Sequence, residues 1–283
     1  MKSNIAVIQS LYRKDNPIWF EKSINSIFDQ DCDFNTIHYY LCIDGDIGEE
    51  LQAIINKYKD RFFRIISNDS NIGLAASLNR LINSLEDEEY IFRMDSDDFS
   101  SPERFRKQIE YLEKNPDVEI CGTSIIGIYE DGSEQKRRDF FEHNDRIIKN
   151  MYKGTAVGHA TVCYRRSALD KLKGYNESIG TNEDIEMWFR AVVLGIKFHN
   201  ICEPLYYQMF AKDCYSRRSV HKALTEFNCY WNGCNRLYGF NWRNLFPVLR
   251  LISRLAPIRV IKYLYDSNFR NYLFYSRSIK NNI

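Results

Sequence analysis

The stretch Tyr90-Ile91-Phe92-Arg93-Met94-Asp95-Ser96-Asp97-Asp98 decides how the chain is read. Residues 90–94 are mostly apolar and of strand length, and they stop at a cluster of carboxylates. Asp95, Asp97 and Asp98 at one strand end repel one another unless a cation joins them. Hard oxygen ligands of this kind suit Mg²⁺ or Mn²⁺, which typically share themselves with substrate phosphates. Two plainer readings compete. One is a solvated turn ahead of a helix started by Ser101-Pro102. The other is an EF-hand calcium loop, which fails because its glycine position is Ser100 and its closing glutamate position is Arg106. An Asp-x-Asp pair alone is most often a plain turn. Its place past a strand end weighs the other way, because open α/β sheets bind ligands beyond the carboxyl ends of their strands.

Outward from this stretch, strand and helix signals alternate. Residues 5–9, 39–43 and 62–66 read as strands. Asn16-Pro17 starts a helix, with Asn as cap and Pro in the first turn; Ile18, Ile24, Ile27 and Phe28 give it an apolar face. Leu51, Ile54, Ile55 and Tyr58 mark a second amphipathic helix, and Leu74, Leu78, Leu81 and Ile82 a third after the turn Asn71-Ile72-Gly73. Ser101-Pro102-Glu103 opens a fourth, ending near Lys114. This order predicts a largely parallel sheet with helices on both faces. Beyond Asn115 the regularity breaks. Residues 118–129 read as paired strands with a turn at Asp131-Gly132, residues 161–164 and 205–210 as short strands, and residues 182–194 as a helix. From about Ser216 the pattern is helical, with Pro247 and Pro257 dividing it into short helices.

At 283 residues, 44% hydrophobic and 27% charged, the chain supports one large packed domain. Its net charge of +1 is uneven. Residues 240–283 carry eight basic residues against one acid, Asp266, so this tail is +7 and the body −6. A basic amphipathic tail suits an anionic membrane surface; a helical pair packed on the body, its cations solvated, is the equal alternative. Nucleic acid is excluded as a partner, since the body is acidic and no binding motif appears. The eight cysteines show no Cys-x-x-Cys pair and fit neither a zinc site nor a disulfide scaffold, so they read as reduced thiols. The start Met1-Lys2-Ser3-Asn4-Ile5 does not read as a signal peptide, and no stretch approaches the roughly 20 apolar residues of a membrane span. The expected location is the cytoplasm, with the inner face of the cell membrane reached if the tail binds lipid.

A second acidic pair, Glu183-Asp184, opens the helix at 182–194. Taken alone it is helix N-terminal chemistry, because acids favour that end of the dipole. Its company changes the weighing. The first strand Ile5-Ala6-Val7-Ile8-Gln9-Ser10-Leu11-Tyr12, then Ile43-Asp44-Gly45-Asp46, Asn71-Ile72-Gly73-Leu74 with Asn79, the Asp95–Asp98 cluster with Pro102, Arg104 and Gln108, the segment Gly158-His159-Ala160-Thr161 through Ser167 with Gly174-Tyr175-Asn176, and Glu183-Asp184 follow one another in order. In that order, over roughly residues 4–210, the sequence resembles family 2 glycosyltransferases of the GT-A fold.

The resemblance implies an α/β GT-A nucleotide-diphospho-sugar transferase fold: a mixed, mostly parallel sheet flanked by helices, with a helical C-terminal extension. It divides the chain into a catalytic domain at 1–215, with a nucleotide-binding half (1–115) and an acceptor half (116–215), and an extension at 216–283. It implies a metal-dependent, inverting transfer from a nucleotide-sugar donor, a UDP-sugar by the family pattern, to a saccharide or lipid-linked saccharide in surface polysaccharide synthesis. Donor residues would be Ser10, Tyr12, Asp44 (accepting the uracil imide N–H), Asn71, Gly73, Asn79, Arg93, Asp95 and Ser96. Asp97, with Asp95, would hold Mn²⁺ or Mg²⁺. Asp184 would be the catalytic base, with Glu183 beside it. His159, Trp188 and Arg217 would meet the acceptor or diphosphate. The sequence departs from the family's pattern in three places: Ser10-Leu11 stand where a Pro often precedes the Tyr, Ile43 where an Asp often precedes Asp44, and Asp46 where a Ser follows the Gly. A nucleotidyltransferase or a dehydrogenase would need glycines after the first strand, and residues 9–16 contain none. The reading from another class is a non-catalytic sugar-nucleotide binder or scaffold of the same fold.

Overall fold

The computed structural model describes residues 5–31, 37–134, 137–210 and 219–256. Cys32, Cys214, Arg217 and most of the basic tail lie outside them.

The elements run β1 (Ile5–Leu11), α1 (Pro17–Phe28), β2 (Ile37–Asp44), α2 (Glu49–Lys57), β3 (Arg64–Asn68), α3 (Leu74–Ile82), β4 (Tyr90–Asp95), β5 (Phe99–Ser100), α4 (Arg104–Lys114) and β6 (Ile120–Tyr129). Then follow α5 (Asn144–Asn150), β7 (Cys163–Arg165), α6 (Arg166–Leu172), α7 (Glu183–Val193), β8 (Phe198–Phe210), α8 (Val220–Tyr238) and α9 (Leu245–Leu255). Eight strands form one sheet in the order β3-β2-β1-β4-β7-β6-β8-β5. β1 pairs parallel with both β2 and β4, and β2 with β3. β7 is antiparallel to β4 and β6, β8 is parallel to β6, and β5 is antiparallel to β8. The sheet is therefore mixed.

The alternation of side chains explains its two-sided burial. Ala6 and Ile8 of β1 face one layer with Tyr40, Cys42 and Ile91, against Leu78 and Leu81 of α3 and Trp188 of α7. Ile5, Val7 and Leu11 face the other with Leu41 and Phe92, against Phe20 and Ile24 of α1 and Phe105 and Ile109 of α4. Continuous apolar strands such as β1 are what a sheet covered on both faces requires. Asn16 caps α1 as expected: its Oδ1 accepts from the N–H of Ile18 at 2.9 Å and of Trp19 at 3.2 Å.

Several expectations need correcting. Residues 118–129 are not a pair of strands. They form one long strand, β6, and the chain beyond Asp131-Gly132 returns only as isolated bridges, Glu134 to Ile128 and Arg138 to Ile125. Its principal partner is β8, which begins seven residues earlier than read, at Phe198. The polar run His199-Asn200 hid that start; both are buried, and the Asn200 Nδ2 donates to the carbonyls of Phe141 and Ala156. The expected strand at 161–164 begins as a 3-10 turn over His159–Thr161. Pro247 breaks nothing, because it sits in the first turn of α9, where a missing N–H costs no helical bond. The break falls instead at Gly239, followed by a capping box between Asn241 and Asn244. Of the described cysteines, five are buried and Cys202 is exposed; all are free thiols.

α8 packs closely on α7. A Cβ built on Gly233 would stand 2.3 Å from the ring of Phe189. Gly233→Ala should therefore destabilise the protein by about 1–3 kcal/mol through overpacking, read as a lowered thermal or urea midpoint. An unchanged midpoint would place the α7–α8 contact elsewhere.

Candidate functional site

The order of β3, β2, β1 and β4 puts a topological switch between β1 and β4, and a cleft of about 470 Å³ opens at the carboxyl ends of these strands. Register makes the neighbours: Ser10 stands beside Asp95, and Asp44 beside Asn68. From β1 and its loop come Ser10, Tyr12 and Asp15; from β2, Asp44; from the entry to α3, Asn71, Gly73 and Leu74. The turn after β4 brings Asp95, Ser96, Asp97 and Asp98, and the end of β8 brings Gln208 and Met209.

The acidic turn gathers the carboxylates of a candidate cation site. One oxygen each of Asp95, Asp97 and Asp98 can be taken within 4.8 Å of one another. Asp98 is buried; its Oδ1 accepts from the N–H of Met209 at 2.8 Å, while its Oδ2 is buried without a hydrogen-bond partner. An orphaned buried carboxylate oxygen is costly unless a positive group meets it. Burial, then the charges of Asp95 and Asp97, push the Asp98 carboxyl well above the usual range. Burial, then Asp95 and Asp15, push Asp97 up to about 7. Three hard carboxylate donors, of which Asp95 also pairs with Arg93, fit Mg²⁺ or Mn²⁺.

Asp15 is a site residue that sequence reading missed. Its Oδ2 accepts from the Tyr12 N–H at 2.8 Å and from the Ser96 hydroxyl at 2.6 Å, tying the loop after β1 to the acidic turn. Asn16 next to it carried the helix-cap signal, so Asp15 drew no attention. Gln208 and Met209 were also missed, because contact between β8 and the turn after β4 leaves no trace in local sequence.

Asp44 lines the cleft and also holds the loop ahead of α3. Its Oδ1 accepts from Asn68 Nδ2 at 2.9 Å and the Ile72 N–H at 2.8 Å; its Oδ2 accepts from Asn71 Nδ2 at 2.8 Å and the Gly73 N–H at 3.0 Å. These four donors fill the roughly four acceptor positions of the carboxylate. Asp44 shapes the loop ahead of α3. Gly73 takes φ +90°, a left-handed conformation that favours glycine, and so turns its N–H onto Asp44.

Four expected residues stand behind the cleft rather than in its wall. Asn79 clamps α3 to the chain ahead of α7: its Nδ2 donates to the Tyr175 carbonyl at 2.9 Å and its Oδ1 accepts from the Tyr175 N–H at 2.7 Å. His159 is hydrogen-bonded to the Tyr175 hydroxyl at 2.7 Å; burial, then Arg93, holds its pKa well below the usual value, so it is neutral. Trp188 is 1% exposed and lies in the core, so the structure does not bring it to an acceptor. Arg93 is 2% exposed and pairs with Asp95 at 2.5 Å. Arg104 and Gln108 are structural: the buried Arg104 guanidinium donates to the carbonyls of Arg93, Ala160 and Val162, and Gln108 Nε2 to those of Cys121 and Thr161.

The second acidic pair opens α7, as expected, with Asn182 at the cap in the left-handed region. Burial, then the charge of Glu183, pushes Asp184 up to about 6, while Arg93 pulls it back. Burial also raises Glu183, and Asp95 adds to that rise, so the two acidic groups lie within electrostatic reach.

Comparison with known proteins agrees with this geometry. The family model "Glycosyl transferase family 2" matches residues 13–173, more than half of the chain. The chain belongs to glycosyl transferase family 2, and it is a glycosyltransferase. It is 28% identical over 266 residues to the amylovoran biosynthesis glycosyltransferase AmsE of Erwinia amylovora, covering 93% of this chain and 98% of that one. It is 24% identical over 277 residues to an Escherichia coli UDP-Gal:alpha-D-GlcNAc-diphosphoundecaprenol beta-1,3-galactosyltransferase, covering 95% and 97%. In fold it is similar to S. aureus TarS 1–349 in complex with UDP-GlcNAc, with a TM-score of 0.65 at 15% identity over 95% of this chain and 75% of that one. The GT-A fold read from the sequence is the fold observed.

Arg93→Gln removes the buried cation and leaves Asp95 facing its neighbours unpaired. It should cost about 3–5 kcal/mol of stability, with part regained in Arg93→Gln/Asp95→Asn. Urea unfolding of the single and double variants checks this. No recovery in the double variant would mean that the pair is not the coupling.

Proposed function

We propose that this glycosyltransferase transfers a sugar, with inversion, from a UDP-sugar to a hydroxyl of a saccharide carried on a lipid, in the synthesis of a surface polysaccharide. The observation that carries the reading is the pair of acidic groups that both feel the charge of Arg93: one gathers three carboxylates suited to a cation, and the other holds a carboxyl with a pKa of about 6. The galactosyltransferase activity of the Escherichia coli relative supports the UDP donor and the lipid diphosphate acceptor, and the amylovoran relative supports the polysaccharide context.

Asp97 and Asp98, with Asp95, would hold Mn²⁺ or Mg²⁺. Such an ion, when bound, offsets the negative charge that gathers on a departing diphosphate. Asp95 is already committed to Arg93 through Oδ1. Asp15 and Ser96 keep the turn in place beneath the ribose side of the cleft. Ser10, Tyr12, Asn71 and Gly73 form the remaining wall for the nucleotide. The first turn of α3 opens on the cleft with its positive dipole end, which favours phosphate. Asp44 acts by holding Asn71, Ile72 and Gly73.

Asp184 is the general base. The acceptor oxygen attacks the anomeric carbon while its proton passes to a carboxylate oxygen of Asp184. The bond from that carbon to the diphosphate oxygen breaks on the opposite face, and the diphosphate leaves with the electron pair. A base with a pKa of about 6 is ionised at neutral pH yet basic enough to take a proton in the transition state. Glu183 raises that pKa and so tunes its neighbour.

Asp184→Asn should lower kcat by about 10²–10⁴ and leave donor affinity nearly unchanged. In the wild type kcat/KM should fall below pH about 6, as Asp184 takes up a proton and ceases to be a base. Steady-state kinetics across pH with both proteins test this. Full turnover in Asp184→Asn would sink the assignment.

A further inference from the structure

α9 is amphipathic the wrong way round for a helix in water. Its cations are tied to the body: Arg254 Nε and Arg250 Nη1 donate to the carboxylate of Glu226 on α8, at 2.8 and 3.1 Å, and Arg250 Nη2 donates to the Lys153 carbonyl at 2.6 Å, with Arg250 half-buried and Arg254 still 42% exposed. Burial alone would raise the Glu226 pKa, but the two guanidinium groups bring it below the usual value. Pro247 is buried on the same side, and Phe246 packs against Tyr152. The opposite face carries Leu245, Leu249 and Ile252, spaced i, i+4 and i+7, and these are 61%, 53% and 59% exposed. The row extends past the head of the helix to Trp242 and Phe240, both exposed, and Phe240 touches Trp231 of α8 at 6.1 Å between ring centres. A surface helix of a soluble domain turns its apolar stripe to the core and its charges to water. Here the reverse is fixed by three charged side chains and a proline, and a contiguous exposed apolar row marks an interaction surface.

We infer that the Phe240–Trp242–Leu245–Leu249–Ile252 face of α9 enters the surface of an anionic lipid bilayer and holds the catalytic domain there. Three features favour lipid over a protein partner. Trp and Phe at the head of the row are the side chains that settle at a membrane–water boundary. The 28 residues that follow α9 carry five cations against one acid, a net charge of +4 suited to anionic headgroups. A second copy docked on the same face would bring two such +4 tails to one interface, which opposes self-association. Among the described residues no helix is long and apolar enough to cross a membrane, so the contact is a lying-on contact rather than a span. The inference deepens the proposed use of a lipid-borne acceptor, since it gives that acceptor's surface a place to meet the protein; its physics does not depend on the reaction.

The test is flotation of the full 283-residue chain with phosphatidylcholine vesicles, with and without phosphatidylglycerol, in the absence of any sugar nucleotide. The wild type should float with the anionic vesicles and stay down with the neutral ones. Leu249→Glu/Ile252→Glu should reduce flotation at least about tenfold, and Leu249→Ser/Ile252→Ser should reduce it in the same direction. Both variants change exposed positions, and thermal unfolding confirms that they remain folded. Wild type that stays down with both vesicle types overturns the inference. So do variants that float as the wild type does, which would leave the basic tail as sole anchor. So does a wild-type dimer on size exclusion that the variants split without any change in flotation, which would make the face a self-interface. Donor hydrolysis measured without vesicles reports on the transferase reading separately, because neither variant touches the cleft.

Discussion

One buried cation holds the site together. Arg93 lies on β4, the strand that ends in the acidic turn, and its side chain is closed off from water. Burial alone would lower its pKa, but the Asp95 charge more than reverses that, so the guanidinium stays charged. Burial raises Asp97, Glu183 and Asp184, and the guanidinium charge opposes that rise; burial, then that charge, holds His159 below the usual value. Without it, burial and mutual repulsion would drive these carboxylates further toward the protonated form. The cation thus moderates the rise that burial imposes on both acidic groups.

The rest of the fold can be understood as support for that arrangement. β1 and β4 are parallel neighbours, and their register sets Ser10 beside Asp95. Arg104, a second buried cation, draws together the carbonyls of Arg93, Ala160 and Val162, and so fixes the backbone from which Arg93 projects. Asn79 and His159 both grip Tyr175, one through its backbone and one through its hydroxyl. That grip sets the approach of the chain that leads into α7 and its acidic start. Residues expected to touch substrate thus turn out to hold the residues that line the cleft.

Much of this was legible in the sequence, for identifiable reasons. The first four strands and helices were readable because β1, β2 and β4 are continuous apolar runs and α1 has a local cap at Asn16-Pro17. The acidic turn and Glu183-Asp184 were readable because carboxylates at an element end are a strong local mark. What escaped was nonlocal. β8 was cut short because His199 and Asn200 are buried polar residues whose partners lie far away in sequence: Tyr111 stacks on His199, and Asn200 donates to the carbonyls of Phe141 and Ala156. Asp44 was read as an acceptor from its type and place; only the folded loop shows the four donors that occupy it. Trp188 was set near the acceptor on its motif position, yet its helix turns it into the core. Asp15 was overlooked because a neighbour carried the stronger signal.

The central claim is that the turn after β4 and the cleft beside it together hold a nucleoside diphosphate through a divalent ion. The most direct measurement is thermal unfolding of the wild-type protein with UDP, in Mn²⁺ or Mg²⁺ and again in EDTA. The account predicts that UDP raises the unfolding midpoint with the metal present, and that the rise disappears in EDTA or in Asp97→Asn. Equal stabilisation with and without the metal, or none by any nucleoside diphosphate, would contradict it.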